Sequence, residues 1–201
     1  MAAQPYRRPA RKLESTRLTI AANLRGRLLR RYKRFLADIE MESGEVVTVH
    51  CPNPGSMRGT SQPGSAVRCS TSENPKRKLK HTLEMIRVGR IWVGLHTLRA
   101  NQIAAQALAS GTIPSLRDYP VVRQEVSIGP SRLDFVLEGH PRDARRTWVE
   151  VKSVTMAEGS TALFPDAVSD RAKRHLETLA TQVRMGDRAV LLYVVQRADC
   201  L

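Results

Sequence analysis

Asp134 stands in "SRLDFVLE", and the next apolar stretch, "TWVEVKSV", carries Glu150 and Lys152 two positions apart. Both stretches read as buried strands, yet burying a charge without a partner is expensive. Side chains alternate along a strand, so Glu150 and Lys152 share a face while Val149 and Val151 point the other way. Asp134, between Leu133 and Phe135, is expected to face away from its apolar neighbours in the same manner. The linking "GHPRDARR" is polar and turn-like, so the two strands can pair as a hairpin that brings Asp134 near Glu150. Two such carboxylates repel each other unless a cation lies between them. Oxygen donors suit Mg²⁺ (or Mn²⁺), which takes one or two carboxylates plus waters and phosphate oxygens. Lys152 could then orient or activate an attacking water and steady charge on a phosphate. Asp134, Glu150 and Lys152 are therefore candidate catalytic residues for phosphodiester hydrolysis, with Asp134 and Glu150 as metal ligands. Surface charges and a cross-strand ion pair would leave the same pattern, and spacing alone does not separate the two.

The elements that must position this triad fall into two groups. Residues 24–96 read as short strands broken by turn residues, with Asn53-Pro54-Gly55 and Pro63-Gly64 among them. "YKRFLADIE" sets Phe35, Ala37 and Ile39 on one face, and "GEVVTVHC", "AVRCSTS" and "RIWVGLHT" supply further strands. That pattern predicts a small barrel or sandwich, an OB-like barrel foremost. "LRANQIAAQALASG" changes to a helical period, with Leu98, Ile103, Ala107 and Leu108 near one face and Gly111 as a stop. The order through residues 97–201 is then helix, three strands, a helix over "PDAVSDRAKRHLETLATQVRM", and the strand "DRAVLLYVVQ". That last strand is apolar enough for a central position covered on both faces. The expected organisation is a basic, disordered tail at 1–23, an OB-like β domain at 24–96 and a mixed α/β domain at 97–201.

The chain of 201 residues has a net charge of +14, and residues 1–34 hold eleven Lys or Arg against one acid, Glu14. Such a field draws polyanions, with DNA the default partner, contacted mainly through phosphates. A basic tail that only aids solubility fits the charge equally well. No stretch approaches the roughly 20 apolar residues of a membrane span, and no secretory signal opens the chain. The N-terminal composition admits an organellar presequence, against a plain basic tail. Cys51, Cys69 and Cys200 form no C-x-x-C pair, so neither a disulfide framework nor a zinc site is expected, and a cytoplasmic setting follows.

Three cationic groups are candidate DNA contacts. Arg31, Tyr32, Lys33 and Arg34 mix charge with an aromatic ring, as an OB surface would. Lys76, Arg77, Lys78 and Lys80 form a loop that could track phosphates. Arg171, Lys173, Arg174 and His175 lie on the helix after the Glu-x-Lys strand, where Arg171, Arg174 and His175 share a side. Ordinary solvated faces are the competing reading for each, except that His175 competes as a satisfied, partly buried residue. Aromatic residues are only 4% of the chain, so extensive base stacking is not expected, and Phe35, Trp92 and Trp148 read as core. "CPNPGSM" is a tight turn, with an anion-binding loop as the alternative.

"RYKRFLADIE", "VHCPNPGSMRG", "TSENPKRKLKHTLEMI", "RLDFVLEG", "VEVKSVT" and "FPDAVSDRAKRHL" together resemble the sugar fermentation stimulation protein A (SfsA) family. The resemblance runs from about residue 24 to 199. It implies an OB-like domain followed by a PD-(D/E)XK nuclease-like domain, DNA binding, and a role in regulating bacterial sugar metabolism. By position, Asp134 matches that family's motif acid, and Glu150 and Lys152 its E-x-K pair. Nucleases of this architecture often add an acid from the first helix, and "TLRANQIAAQALASG" has none. Glu125, on the preceding strand, or Asp166 could substitute. Family members continue past "QRADCL", so the strand around Leu191 and Val195 is expected to present an open edge that invites a homodimer. The competing functional readings are a DNA-binding regulator that keeps the nuclease fold without turnover and an RNA-binding module using the barrel alone.

Overall fold

The computed structural model describes residues 18–165 and 169–200. Most of the expected basic tail, and Asp166, lie outside the described residues. The β-rich first half forms β1 (Leu24–Tyr32), β2 (Leu36–Met41), β3 (Val46–His50), β4 (Ala66–Thr71), β5 (His81–Val88) and β6 (Ile91–Gly94). They run in the order β3-β2-β1-β4-β5-β6, and a parallel pairing of His50 with Thr82 joins β3 to β5. Five strands thus close into an OB-like barrel, with β6 attached outside the ring. Leu28, Ile39, Val49, Val67, Leu83 and Ile86 fill its interior. Gly26 permits the close approach of β1 to β2, since a Cβ there would collide with the Glu40 carbonyl oxygen.

The second half contains α1 (Thr97–Ser110), β7 (Val121–Ile128), β8 (Ser131–Glu138), β9 (Thr147–Val154), the small hairpin β10 (Met156–Glu158) and β11 (Thr161–Leu163), α2 (Asp170–Arg184) and β12 (Arg188–Val195). The sheet order is β12-β9-β8-β7, with β12 parallel to β9 and the other pairs antiparallel. This mixed α/β layout has the PD-(D/E)XK-like topology. Ala100, Ala104 and Leu108 pack α1 on one face against Phe135, Leu137, Val149 and Val151. Leu179 packs α2 on the other against Leu133, Val136 and Trp148. The small alanines let α1 approach the sheet closely. Gly111, in the left-handed region, ends α1 as expected.

Four expectations need correction. Leu98 is 63% exposed, Phe35 53% and Trp92 37%. A β-rich pattern shows which residues could be buried, but at barrel rims and helix starts the neighbouring layer is missing. The apolar β12 packs on both faces only in its first half, where Val190 and Leu192 (with Val194 further on) meet the α1 core and Ala189 and Leu191 the α2 core, while Tyr193 and Val195 are exposed. It is nevertheless an edge strand among the described residues, not a central one.

Barrel and sheet layers are tied by polar contacts at the start of α1. The Arg99 guanidinium grips Glu84 of β5 through both carboxylate oxygens at 2.7 and 3.0 Å, and Glu84 is only 1% exposed. Thr97 Oγ1 donates to the Pro52 carbonyl at 2.9 Å, and the Gly94 N–H donates to the Gln196 carbonyl at 2.9 Å. Burial pushes the Glu84 carboxyl up, but hydrogen bonds from Arg99 and Ser70 and the nearby His96 outweigh it and leave it below its ordinary value. Its stabilising contribution is therefore full above the ordinary carboxylate range, and fades as pH falls toward the lowered native value. Arg99→Ala strands a buried carboxylate and should cost about 3–5 kcal/mol. Urea unfolding at neutral pH measures this, and the deficit should shrink in acid as Glu84 protonates.

Candidate functional site

The β8–β9 ladder pairs Leu137 with Thr147, Val136 with Trp148 and Phe135 with Val149, and stops there. One step further in the same register would set Asp134 opposite Glu150. Instead the Asp134 side chain takes over the ladder's role: its Oδ2 accepts the Val151 N–H at 2.7 Å. Its Oδ1 accepts from the Asn101 amide of α1 at 2.7 Å. Leu133 packs toward α2 and Phe135 toward α1. Strict alternation is thus broken at Asp134, and its two apolar neighbours do not share a face as expected.

Glu150 is 3% exposed. Its Oε1 accepts from two partners at once, Lys152 Nζ at 2.7 Å and His175 Nδ1 of α2 at 2.6 Å. Its Oε2 is buried and has no hydrogen-bond partner. Burial, opposed by the Val151 N–H and reinforced by the Glu150 charge, raises the Asp134 carboxyl above its usual range. Asn101 and Lys152 offset part of this. The two acids therefore sense each other across a poorly solvated gap.

Hard oxygen donors, a buried unpartnered oxygen and a raised carboxyl beside it fit a divalent cation. Asp134 and Glu150 are the residues that could hold it. Of the two expected third acids, Asp166 lies outside the described residues and Glu125 does not join them. Glu125 is half exposed on β7 and pairs with Arg132 at 2.8 Å. Among the described residues no group of three or more His, Cys, Asp or Glu side chains is arranged to hold a metal. From α1, the side chain that reaches Asp134 is the amide of Asn101. The sequence signal for it was a lone amide on the Ala100–Ala104–Leu108 side of an otherwise apolar stripe.

The cationic groups divide. Arg31 is turned inward, its Nη2 donating to the carbonyls of Arg34, Asn53 and Gly55 at 2.8–2.9 Å. It braces the "CPNPGSM" turn, where Asn53 Oδ1 accepts the Gly55 N–H. Tyr32 donates its hydroxyl to Asp38, and Arg30 lies over its ring. His175 is buried on Glu150 and does not share the exposed side of Arg171 and Arg174. These three are not free for phosphate. Lys33, Arg34, Lys76, Lys78, Lys80, Arg171, Lys173 and Arg174 are exposed. Arg77 is half-buried and reaches Thr82 Oγ1 at 2.9 Å.

Residues 98–201 match the family domain described as the sugar fermentation stimulation protein RE domain, and residues 29–95 the SfsA N-terminal OB domain. The chain belongs to the sugar fermentation stimulation protein (SfsA) family. It is 50% identical over 175 residues to a sugar fermentation stimulation protein homolog of Geobacter sulfurreducens, covering 87% of this chain and 74% of that one. A homolog from Halorhodospira halophila is 50% identical over 177 residues, covering 86% and 73%. A solved structure described as Pyrococcus furiosus SfsA in complex with Ca²⁺ superposes with a TM-score of 0.79 at 22% identity, covering 88% of this chain and 74% of that one. That likeness speaks for the SfsA fold. Among the described residues no helix is long and apolar enough to cross a membrane.

The raised Asp134 carboxyl fixes the sign of a pH effect. Without a cation, the native state binds that proton more tightly than the unfolded chain does. Stability is therefore lost as pH rises from the ordinary carboxylate value of about 3.9 through the raised native one. A cation competes with the proton, so its stabilisation should grow over the same window. With Mn²⁺ at about 100 times its dissociation constant, the melting temperature at pH 8 should rise by roughly 5–10 °C. The gain should be smaller at pH 5 and absent in Asp134→Ala. An equal gain in that variant would remove Asp134 from the ligand set.

Proposed function

We propose that the chain is a DNA-binding protein of bacterial sugar metabolism whose second half carries a Mg²⁺- or Mn²⁺-dependent phosphodiesterase site at Asp134, Glu150 and Lys152. The observation that carries this reading is the unpartnered Glu150 Oε2 beside the raised Asp134 carboxyl. A divalent ion held between them supplies Lewis acidity toward a phosphodiester. Asn101 and the Val151 N–H fix the Asp134 oxygens in place. His175 holds Glu150 from the opposite side, so the carboxylate needs no reorganisation when it is used. Lys152 brings a nearly buried ammonium, where it can donate to a non-bridging phosphate oxygen or orient a water for in-line attack. The exposed Arg171, Lys173 and Arg174 of α2 extend positive charge outward for the flanking phosphates. Lys33 and Arg34 at the β1–β2 turn, with Lys76, Lys78 and Lys80, add further phosphate contacts. The Ca²⁺ named for the archaeal relative is another oxygen-seeking ion and agrees with this donor set.

A second reading is a regulator that binds DNA without cleaving it. It is favoured by the absence of a third acid among the described residues and by Lys152 being engaged on Glu150.

Supercoiled plasmid incubated with Mg²⁺ or Mn²⁺ separates the two. Wild type should nick it, and Glu150→Ala and Lys152→Ala should each lose about 100-fold or more in rate. Equal nicking by all three would mean contamination and end the hydrolytic reading. Duplex retention should weaken steeply between about 50 and 200 mM salt. Retention indifferent to salt would contradict phosphate-led binding.

A further inference from the structure

The outer wall of the barrel carries a second cationic feature, away from the acids. In the antiparallel ladders Arg25 is the Cα partner of Arg68, and Arg87 that of Trp92. Arg25, Arg27, Arg68, Arg87 and Trp92 line one groove of about 370 Å³. Glu40 and Glu42 also line it, yet none of the four arginines forms an ion pair among the described residues. Two are steered by neutral groups instead. Arg27 donates to the Gly64 carbonyl at 3.0 Å and Arg87 to the Gly89 carbonyl at 3.2 Å. The Arg68 guanidinium lies 5.5 Å from the centre of the Trp92 ring, which remains partly exposed. Guanidinium groups gathered without carboxylate partners repel one another, and an incoming anion relieves that repulsion.

We propose that this groove is a subsite for an unpaired nucleotide of single-stranded nucleic acid. The base extends the Arg68–Trp92 stack, and Arg25, Arg27 and Arg87 take the adjoining phosphates. An acidic peptide would satisfy the charges but leave the flat ring unused. A duplex offers phosphates, but its bases are already stacked on one another. The inference rests on the nucleic-acid reading above and adds a strand preference to it.

The test compares a fluorescent oligo(dT), a duplex of equal length and polyglutamate as competitor, using the full chain. Wild type should bind oligo(dT) with quenching of tryptophan fluorescence. Trp92→Leu should abolish the quenching, since Trp148 is buried. It should weaken oligo(dT) about 10-fold and duplex less than 2-fold. Arg25→Ala removes an exposed side chain and should lower the salt slope for oligo(dT) by about 0.7. The inference is overturned if both variants bind oligo(dT) as wild type does, if Trp92→Leu loses both nucleic acids alike, or if polyglutamate displaces oligo(dT) as well as oligo(dT) itself does. Loss of single-strand binding confined to these variants supports it. Wild type that binds neither nucleic acid contradicts the proposed function as well, a result distinct from failure of the subsite alone.

Discussion

The site turns on one carboxylate used asymmetrically. Glu150 spends a single oxygen on both Lys152 and His175 and keeps the other buried without a donor. Water is largely excluded, and Asp134 stands near enough for its own ionisation to be opposed. In such a place each negative charge needs a positive neighbour, and the Lys152 ammonium shares with His175 a single oxygen of Glu150. The remaining imbalance is what a divalent ion would correct. A buried pair with no such use would be a costly arrangement compared with apolar residues of similar volume.

The fold's contribution is to hold that imbalance still. β9 is flanked on both sides, by β12 in parallel and β8 antiparallel, so Glu150 sits on a strand that cannot shift its register. The two helices clamp the acids from opposite faces, α1 through Asn101 and α2 through His175. α2 is itself pinned, since Thr178 hydrogen-bonds Ser131 at 2.8 Å and Leu179 is buried on Trp148 and its neighbours. α1 is also the element that grips the barrel through Arg99 and Glu84. The same helix therefore touches the barrel through Arg99 and Asp134 through Asn101, two residues later, so barrel and acid are linked through one short stretch of helix.

Much of this was legible in the residues. Apolar alternation marked β8 and β9, and the charges interrupting it marked Asp134, Glu150 and Lys152, because such interruptions are expensive and strands expose their period plainly. The barrel was legible from short β-rich runs between turn residues. What escaped were facts that depend on a partner distant in sequence. His175 reads either as part of a phosphate-facing helix side or as a satisfied, partly buried residue, and only the second agrees with its place on Glu150, which nothing local identifies as its partner. Arg31 and Tyr32 looked like a binding surface, but the turn at Asn53–Gly55 and the Asp38 carboxylate claim them. Trp92 looked like core because its strand is apolar, although β6 lies outside the closed ring and leaves one side of the ring system open. Glu125 was a reasonable third acid by register, yet its Arg132 neighbour draws it to the surface.

The central claim is that Asp134 and Glu150 jointly hold one divalent ion. Crystals grown with Mn²⁺ and measured at the manganese absorption edge test it most directly. The account predicts a single anomalous peak within about 2.0–2.4 Å of oxygens from both carboxylates. No peak between them, or a peak bound by one acid alone, would contradict it.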